Sequence, residues 1–446
     1  MMRFHHRPIL FAAATASSAI APAPLAARDA AQDAAPDAAP DAAPDAPAHV
    51  APDAANRAPR QAGGTPAPAV HTPDAWRLAP LFTARLRYEG VASEGAGRHA
   101  EAVTLRARFG LEARRDGLSL LVEGEGTAAL ADGYNDTLPG NGAEPFPVIA
   151  DPETLELNRA QLSWRGGPAT VTVGRQRIVH GNARFVGNVG WRQNEQTFDA
   201  VRGEAAIGPV AIDFAYAAAQ RTIFGAYSPG ESHDGDFWLA SGTVRRGPFE
   251  GRAFAYLVDY DRRPAFSSQT YGAIASGATA LGRLELRYRA GYAVQSDHGS
   301  GPVAYRADYV DAEVAAASGP FTLAAGYEKL GSDEGVAAFQ TPLATLHAFN
   351  GWADMFLATP PAGLRDRHVR LSARFGGADG EAAIDAQIAY HRFDSDYADI
   401  AYGQEWNLSL GTRLGPVALL AKYAHYDARD FGADTRKFWL QAEYAF

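Results

Sequence analysis

Lys437-Phe438-Trp439-Leu440-Gln441-Ala442-Glu443-Tyr444-Ala445-Phe446 ends the chain of 446 residues, and its reading decides the fold. Phe438, Leu440, Ala442, Tyr444 and Phe446 share one face of an extended strand, and Lys437, Trp439, Gln441 and Glu443 share the other. A period of two with one apolar face is the β signature. Terminal residues usually fray, so an aromatic carboxylate with no polar tail suits a soluble edge strand poorly. It suits the closing strand of a bacterial outer-membrane barrel, which must seal against the first strand and be read by the assembly machinery through Phe446.

The pattern repeats upstream. Val103, Leu105, Ala107, Phe109 and Leu111 alternate with Thr104, Arg106, Arg108, Gly110 and Glu112. Leu284, Leu286, Tyr288 and Tyr292 alternate with Glu285, Arg287 and Arg289; Val369, Leu371 and Phe375 alternate with Arg370 and Arg374. Such segments suit tilted transmembrane strands. Gly167-Pro168, Gly208-Pro209, Gly247-Pro248, Gly319-Pro320 and Gly415-Pro416, with Asp116-Gly117 and Gly376-Gly377, read as tight turns. Between them fall long polar loops near residues 130–154, 180–194, 222–235 and 331–366. Alternating short and long connections predict an all-β, antiparallel transmembrane barrel of about 18 strands, with periplasmic turns and external loops. Strict alternation puts Arg175 and Arg177 beside lipid with Val171 and Val173, so a bulge at Gly174 is expected to re-aim them. Tyr88, Tyr256, Tyr260, Tyr292, Tyr327, Tyr390 and Tyr423 are expected in an interfacial girdle.

Composition narrows the class. The chain has no cysteine and a formal charge of −10, which excludes a disulfide framework and disfavours a nucleic-acid binder. Residues 1–27 read as a secretory signal: Arg3 and Arg7 precede Ile9-Leu10-Phe11, and cleavage falls near Leu25-Ala26-Ala27. Residues 28–73 repeat Asp-Ala-Ala-Pro from Asp33 to Pro44; with few large apolar side chains they form a solvated periplasmic linker, which leaves room for a periplasmic partner. The barrel spans residues 74–446, in contact with outer-membrane lipid.

The inward positions are charged. Arg85, Arg87, Arg106 and Arg108 lie on the first two strands, and Arg159, Arg287, Arg289, Arg370, Arg374 and Arg413 project from others. Glu112, Glu123, Glu125, Asp213, Glu285, Asp311, Glu313, Glu328, Asp385 and Glu443 are inward acids. Arginine–carboxylate ladders that brace the barrel account for at least half of these. The remaining arginines, densest and least paired on the first two strands, would form a stripe along which an anion passes, since rings of arginine select anions. An enzyme is disfavoured: no Gly-x-Ser-x-Gly or His-Glu-x-x-His occurs, and His180, His233, His298, His347, His368, His391 and His425 are scattered. No cofactor or metal is expected, Asp132, Asn135 and Asp136 being at most a calcium loop.

Two further stretches carry a resemblance. Gly174-Arg175-Gln176 with Arg184-Phe185-Val186-Gly187-Asn188-Val189-Gly190-Trp191-Arg192-Gln193 is one, and Gly351-Trp352-Ala353-Asp354 with Thr359-Pro360 is the other. Together they resemble the alginate export family of outer-membrane barrels. The resemblance implies an electropositive conduit for an anionic polysaccharide, with Gly174, Arg175, Gln176, Arg184, Trp191, Arg192, Trp352 and Asp354 as motif residues and Gly351–Asp366 as a packed loop or a gate. The main expectation is thus a passive outer-membrane channel for an alginate-like anionic polysaccharide or oligosaccharide, and the alternative is an uptake porin for small anionic or sugar solutes on the same barrel.

Overall fold

A sheet with one apolar and one polar face is stable in a membrane only when it closes, because an open edge would leave unpaired backbone groups in hydrocarbon. The computed structural model describes residues 75–376 and 383–445, and in it eighteen antiparallel strands form one closed sheet. The first half comprises β1 (Arg77–Ser93), β2 (Ala100–Arg115), β3 (Leu118–Gly133), β4 (Thr154–Gly166), β5 (Ala169–Gln176) and β6 (Thr197–Ile207). It continues with β7 (Val210–Arg221), β8 (Ser232–Arg246), β9 (Phe249–Tyr260), β10 (Ser268–Leu281) and β11 (Leu284–Asp297). After β12 (Arg306–Ser318) and β13 (Phe321–Leu330), a loop carries the two-residue strands β14 (Ser332–Asp333) and β15 (Ala337–Ala338). The ring ends with β16 (Leu364–Phe375), β17 (Ile384–Asp394), β18 (Ala401–Leu414), β19 (Val417–Ala428) and β20 (Thr435–Ala445). Each barrel strand pairs with its sequence neighbour, and β20 closes on β1 in a register running from Thr83↔Ala445 to Ser93↔Thr435. The closing strand is the one whose alternation is read above.

The faces sort as expected. Phe82, Leu86, Leu105, Phe109, Leu408, Leu410, Phe438 and Leu440 are exposed on the outside, while Arg85, Arg87, Arg106, Arg108, Lys437 and Trp439 are buried inside. An apolar surface that encircles the molecule is a lipid face, since a water-soluble protein rarely exposes more than a few hundred Å² of contiguous apolar area. In the five Gly-Pro turns the glycine has φ between 57° and 59°. Positive φ followed by proline is a type II′ turn, whose twist matches the strands it joins. Gly282-Arg283 makes a further tight turn between the paired Leu281 and Leu284, without the Gly-Pro signature.

Two expectations change. Tyr256 and Tyr260 are buried in the interior core and so stand outside any interfacial girdle. No register shift occurs at Gly174: Gln161, Gly174 and Ala200 align across β4, β5 and β6. Register shifts lie instead in the neighbouring pairings: between β3 and β4, where Glu123 opposes Arg159 and Gly124 opposes Leu157, leaving Asn158 as the extra residue, and between β6 and β7, where Asp199 opposes Ala219 and Ala200 opposes Ala217, leaving Ala218. Arg175 therefore keeps the parity of Val171 and Val173 and is held by Asp199 at the end of the strand, whereas Arg177, beyond the strand, turns in to Glu195. The signal segment, the linker, Gly377 and Phe446 lie outside the described residues.

Candidate functional site

A barrel of eighteen strands leaves a lumen too wide for wall side chains to fill, and here two loops occupy it. The first, residues 177–196 between β5 and β6, is mostly buried, with Val179, Gly181 and Asn182 exposed. The backbone N–H of Glu195 donates to Glu125 on β3 at 3.0 Å, and Phe185 packs edge-on against Tyr309 on β12 at 5.1 Å. β3 and β12 stand nine strands apart in a ring of eighteen, so this loop spans the lumen. The second, residues 331–363 between β13 and β16, meets it at the Val186↔Leu343 bridge. There Gly187 N–H donates to the Leu343 carbonyl at 2.8 Å and Thr345 N–H to that of Ala183 at 2.9 Å.

The arginines of the first two strands fasten the first loop. Arg85 donates to the carbonyls of Gly190 and Trp191 at 2.9 and 2.6 Å and to Glu443 on β20 at 3.0 Å. Arg87 donates to Trp191 O and to Gln441 at 2.6 Å. Arg106 reaches Glu443 at 2.9 Å. Arg108 pairs with Glu125 and lies 3.3 Å from Glu195. The expected scarcity of acids around these arginines is therefore wrong. Glu443 arrives from the closing strand and Glu195 from the inward loop, neighbours that only closure and loop folding create. Even so, Nε and Nη1 of Arg106 and Nη2 of Arg108 are buried without a hydrogen-bond partner.

The other predicted lumen arginines form ladders. Arg159 binds Glu123 at 2.8 and 2.9 Å, Arg289 binds Asp311 at 2.5 Å and Arg370 binds Glu313 at 3.2 Å. Arg287 pairs with Glu285 at 2.7 Å and Arg374 with Asp385 at 3.4 Å toward the turn end, where Arg413 is exposed.

The motif residues meet at the junction of the two loops. Arg184 binds Glu328 at 2.7 Å, Thr341 at 3.0 Å and Asn350 at 3.2 Å. Burial opposes its charge, but Glu328 outweighs burial and holds the guanidinium above its ordinary pKa. Arg192 donates to Glu89 on β1 at 2.9 Å and lies 3.7 Å from Asp354; against the cost of burial, Glu89, Asp151 and Asp354 raise its pKa. Asp354 accepts from Lys437 on β20 at 2.5 Å and from His347 at 2.7 Å, which overcome burial and hold its carboxyl below the usual range. His347 stacks on Trp191, with ring centroids 4.9 Å apart, and accepts from Lys422 on β19 at 2.7 Å. The Lys422 ammonium stands 3.7 Å from the Trp352 ring centroid. Gln176 donates to the Ala200 carbonyl at 3.0 Å beside Gly174. Sequence reasoning missed Glu405, which accepts the backbone N–H groups of Trp352 and Ala353 at 2.5 and 2.9 Å, because its target is backbone and leaves no motif.

No family model and no curated protein matches this chain. Solved structures do. The outer membrane protein opdK of Pseudomonas aeruginosa superposes with a TM-score of 0.65 at 14% identity, covering 83% of this chain and 98% of its own. A second opdK structure, solved with vanillate, gives 0.64 at 15% identity, covering 83% and 98%. OccAB4 of Acinetobacter baumannii gives 0.65 at 12% identity, covering 82% and 97%. These are not alginate exporters, and the resemblance to the alginate export family is not upheld. The residues that suggested it, Arg184, Trp191, Arg192, Trp352 and Asp354, fasten two inward loops together, a task set by a wide barrel rather than by one cargo. The chain has the closed 18-stranded fold of outer-membrane porins, and its place is the outer membrane of a Gram-negative cell.

Proposed function

We propose that this barrel is an uptake channel for small carboxylated solutes. The observation that carries the reading is the gathering of Arg85, Arg87, Arg106 and Arg108 on two adjacent strands of the lumen wall, with Nε and Nη1 of Arg106 and Nη2 of Arg108 unmatched beneath the first inward loop, where a carboxylate would meet them when that loop shifts. A guanidinium fork matches a carboxylate and keeps its charge at any physiological pH. The two packed loops narrow the lumen, which favours a small solute over a polymer. One similar structure contains vanillate, an aromatic carboxylate, and the rings of Trp191, Trp352 and Trp439 lie close to the arginine wall. Liposome swelling with the full-length protein tests this. Vanillate or benzoate should enter faster than a neutral sugar of similar size, and R106A with R108A should remove the difference. Faster entry of the neutral sugar into wild-type liposomes would overturn the reading in favour of a sugar porin.

A further inference from the structure

His368 and His391, 23 residues apart in sequence, are register partners on β16 and β17. Asp366, two residues before His368, shares its inward face. The His391 Nδ1 lies 3.0 Å from both Asp366 carboxylate oxygens, and His368 Nδ1 lies 3.8 Å from Asp366 Oδ2. Ligand atoms of all three residues fall within 4.8 Å of one another.

The hydrogen-bond pattern around His368 makes this more than a pair of ion pairs. Its Nε2 faces Glu313 Oε2 at 3.4 Å, and Glu313 is itself oriented by Arg370 at 3.2 Å. In the neutral tautomer with its proton on Nε2, Nδ1 carries a lone pair, and that atom is buried with no hydrogen-bond partner. In that tautomer Nδ1 and the Asp366 carboxylate face each other 3.8 Å apart as two acceptors, an arrangement that a cation taking the place of a second ring proton relieves. A ligating histidine characteristically donates its other ring N–H to a carboxylate, the position Glu313 holds here. Asn350 of the second inward loop steadies Asp366 at 3.4 Å.

We propose that Asp366, His368 and His391 form a binding site for a divalent transition-metal ion, Zn²⁺ by preference, in the lumen wall. Two imidazoles and one carboxylate suit Zn²⁺ and exclude the oxygen-seeking Ca²⁺ and Mg²⁺. A tetrahedral centre with bonds of about 2.0–2.1 Å sets its ligand atoms about 3.3 Å apart, so small side-chain rotations complete the site. Both histidines are partly exposed, which leaves the fourth position open to the lumen.

Zn²⁺ titration of the untagged full-length protein in detergent, read by calorimetry, tests the assignment. One Zn²⁺ per chain is expected, with affinity reduced more than tenfold in H368A and in H391A, about tenfold in E313Q, and unchanged in H425A. Equal affinity in wild type, H368A and H391A overturns the proposal, as does the absence of binding. Should the histidine variants not fold, Cu²⁺ electron paramagnetic resonance on the wild type decides: coupling to two imidazole nitrogens supports the site, and a spectrum without nitrogen coupling overturns it.

Discussion

Arg87 and Trp191 touch twice: the guanidinium donates to the Trp191 carbonyl at 2.5 Å and lies 3.9 Å from the centroid of its indole ring. One wall residue thereby fixes both the backbone and the ring of the lumen-spanning loop. Arg87 also stands 3.7 Å from the buried Asp151. R87A would remove one of the two cations beside that carboxylate, which keeps Arg192 at 3.6 Å and the Gln193 N–H at 2.8 Å, and would release the loop. Leaving a buried charge unpaired costs about 3–5 kcal/mol, an upper bound here because Arg192 stays beside Asp151, and the barrel should lose its folded mobility on electrophoresis at a lower temperature than wild type. Single-channel recordings should show larger and noisier openings, with R87K intermediate because lysine lacks the planar fork.

Glu443 neutralises two arginines at once, Arg85 at 3.0 Å and Arg106 at 2.9 Å. E443Q keeps the shape and removes the charge. A unit charge about 7 Å from a permeating ion in water is worth about 0.6 kcal/mol, or about threefold in an equilibrium. The reversal potential in a KCl gradient should therefore shift toward chloride by about that ratio. An unchanged potential would mean that the permeation path does not pass this wall.

The barrel was legible because strand alternation and turn chemistry are local. The sequence of β20 displays Phe438 and Leu440 against Lys437 and Trp439, and the Gly-Pro turns announce the hairpins. The arginines were legible as inward residues for the same reason. Their pairing was not, because Glu443 reaches Arg85 and Arg106 only when the ends of the chain meet, and Glu195 reaches Arg108 only when a loop folds inward. His368 and His391 appeared scattered because cross-strand register brings together residues that spacing along the chain separates. Arg177 shows the limit of alternation, which ceases to govern a side chain once the strand has ended, whereas Arg175, still within β5, obeys it.

The loop junction should loosen in acid. His347 is neutral, its pKa depressed well below normal by burial and by the Lys422 ammonium, although Asp354 pulls the other way and Arg192 adds to the depression. The unfolded chain takes up this proton near pH 6.5 and the folded chain does not, so stability present above that pH declines as pH falls through it. Asp354, whose pKa is depressed in the folded state, adds a loss of the same sign below about pH 4. Melting temperature should therefore drop between pH 7 and 5. H347Q, an uncharged side chain in the same place, should flatten that limb and leave the lower one.

Gly351 sets the angle at which the second loop enters the Glu405 clamp. Its φ is 87°, and an added Cβ would meet the Glu405 carboxylate. That carboxylate holds the next two backbone N–H groups, those of Trp352 and Ala353, and Trp352 in turn packs on Lys422. G351A must strain the backbone and push the carboxylate off its donors. A residue forced into this conformation costs about 1–3 kcal/mol, so the unfolding midpoint should fall while the strands themselves remain intact by circular dichroism. Gly203 on β6 has open space where its Cβ would sit and no positive φ, so G203A serves as the matched control and should change little. If the two variants unfold alike, the clamp does not hold the loop, and Trp352 is free to leave the Lys422 ammonium without cost to the barrel.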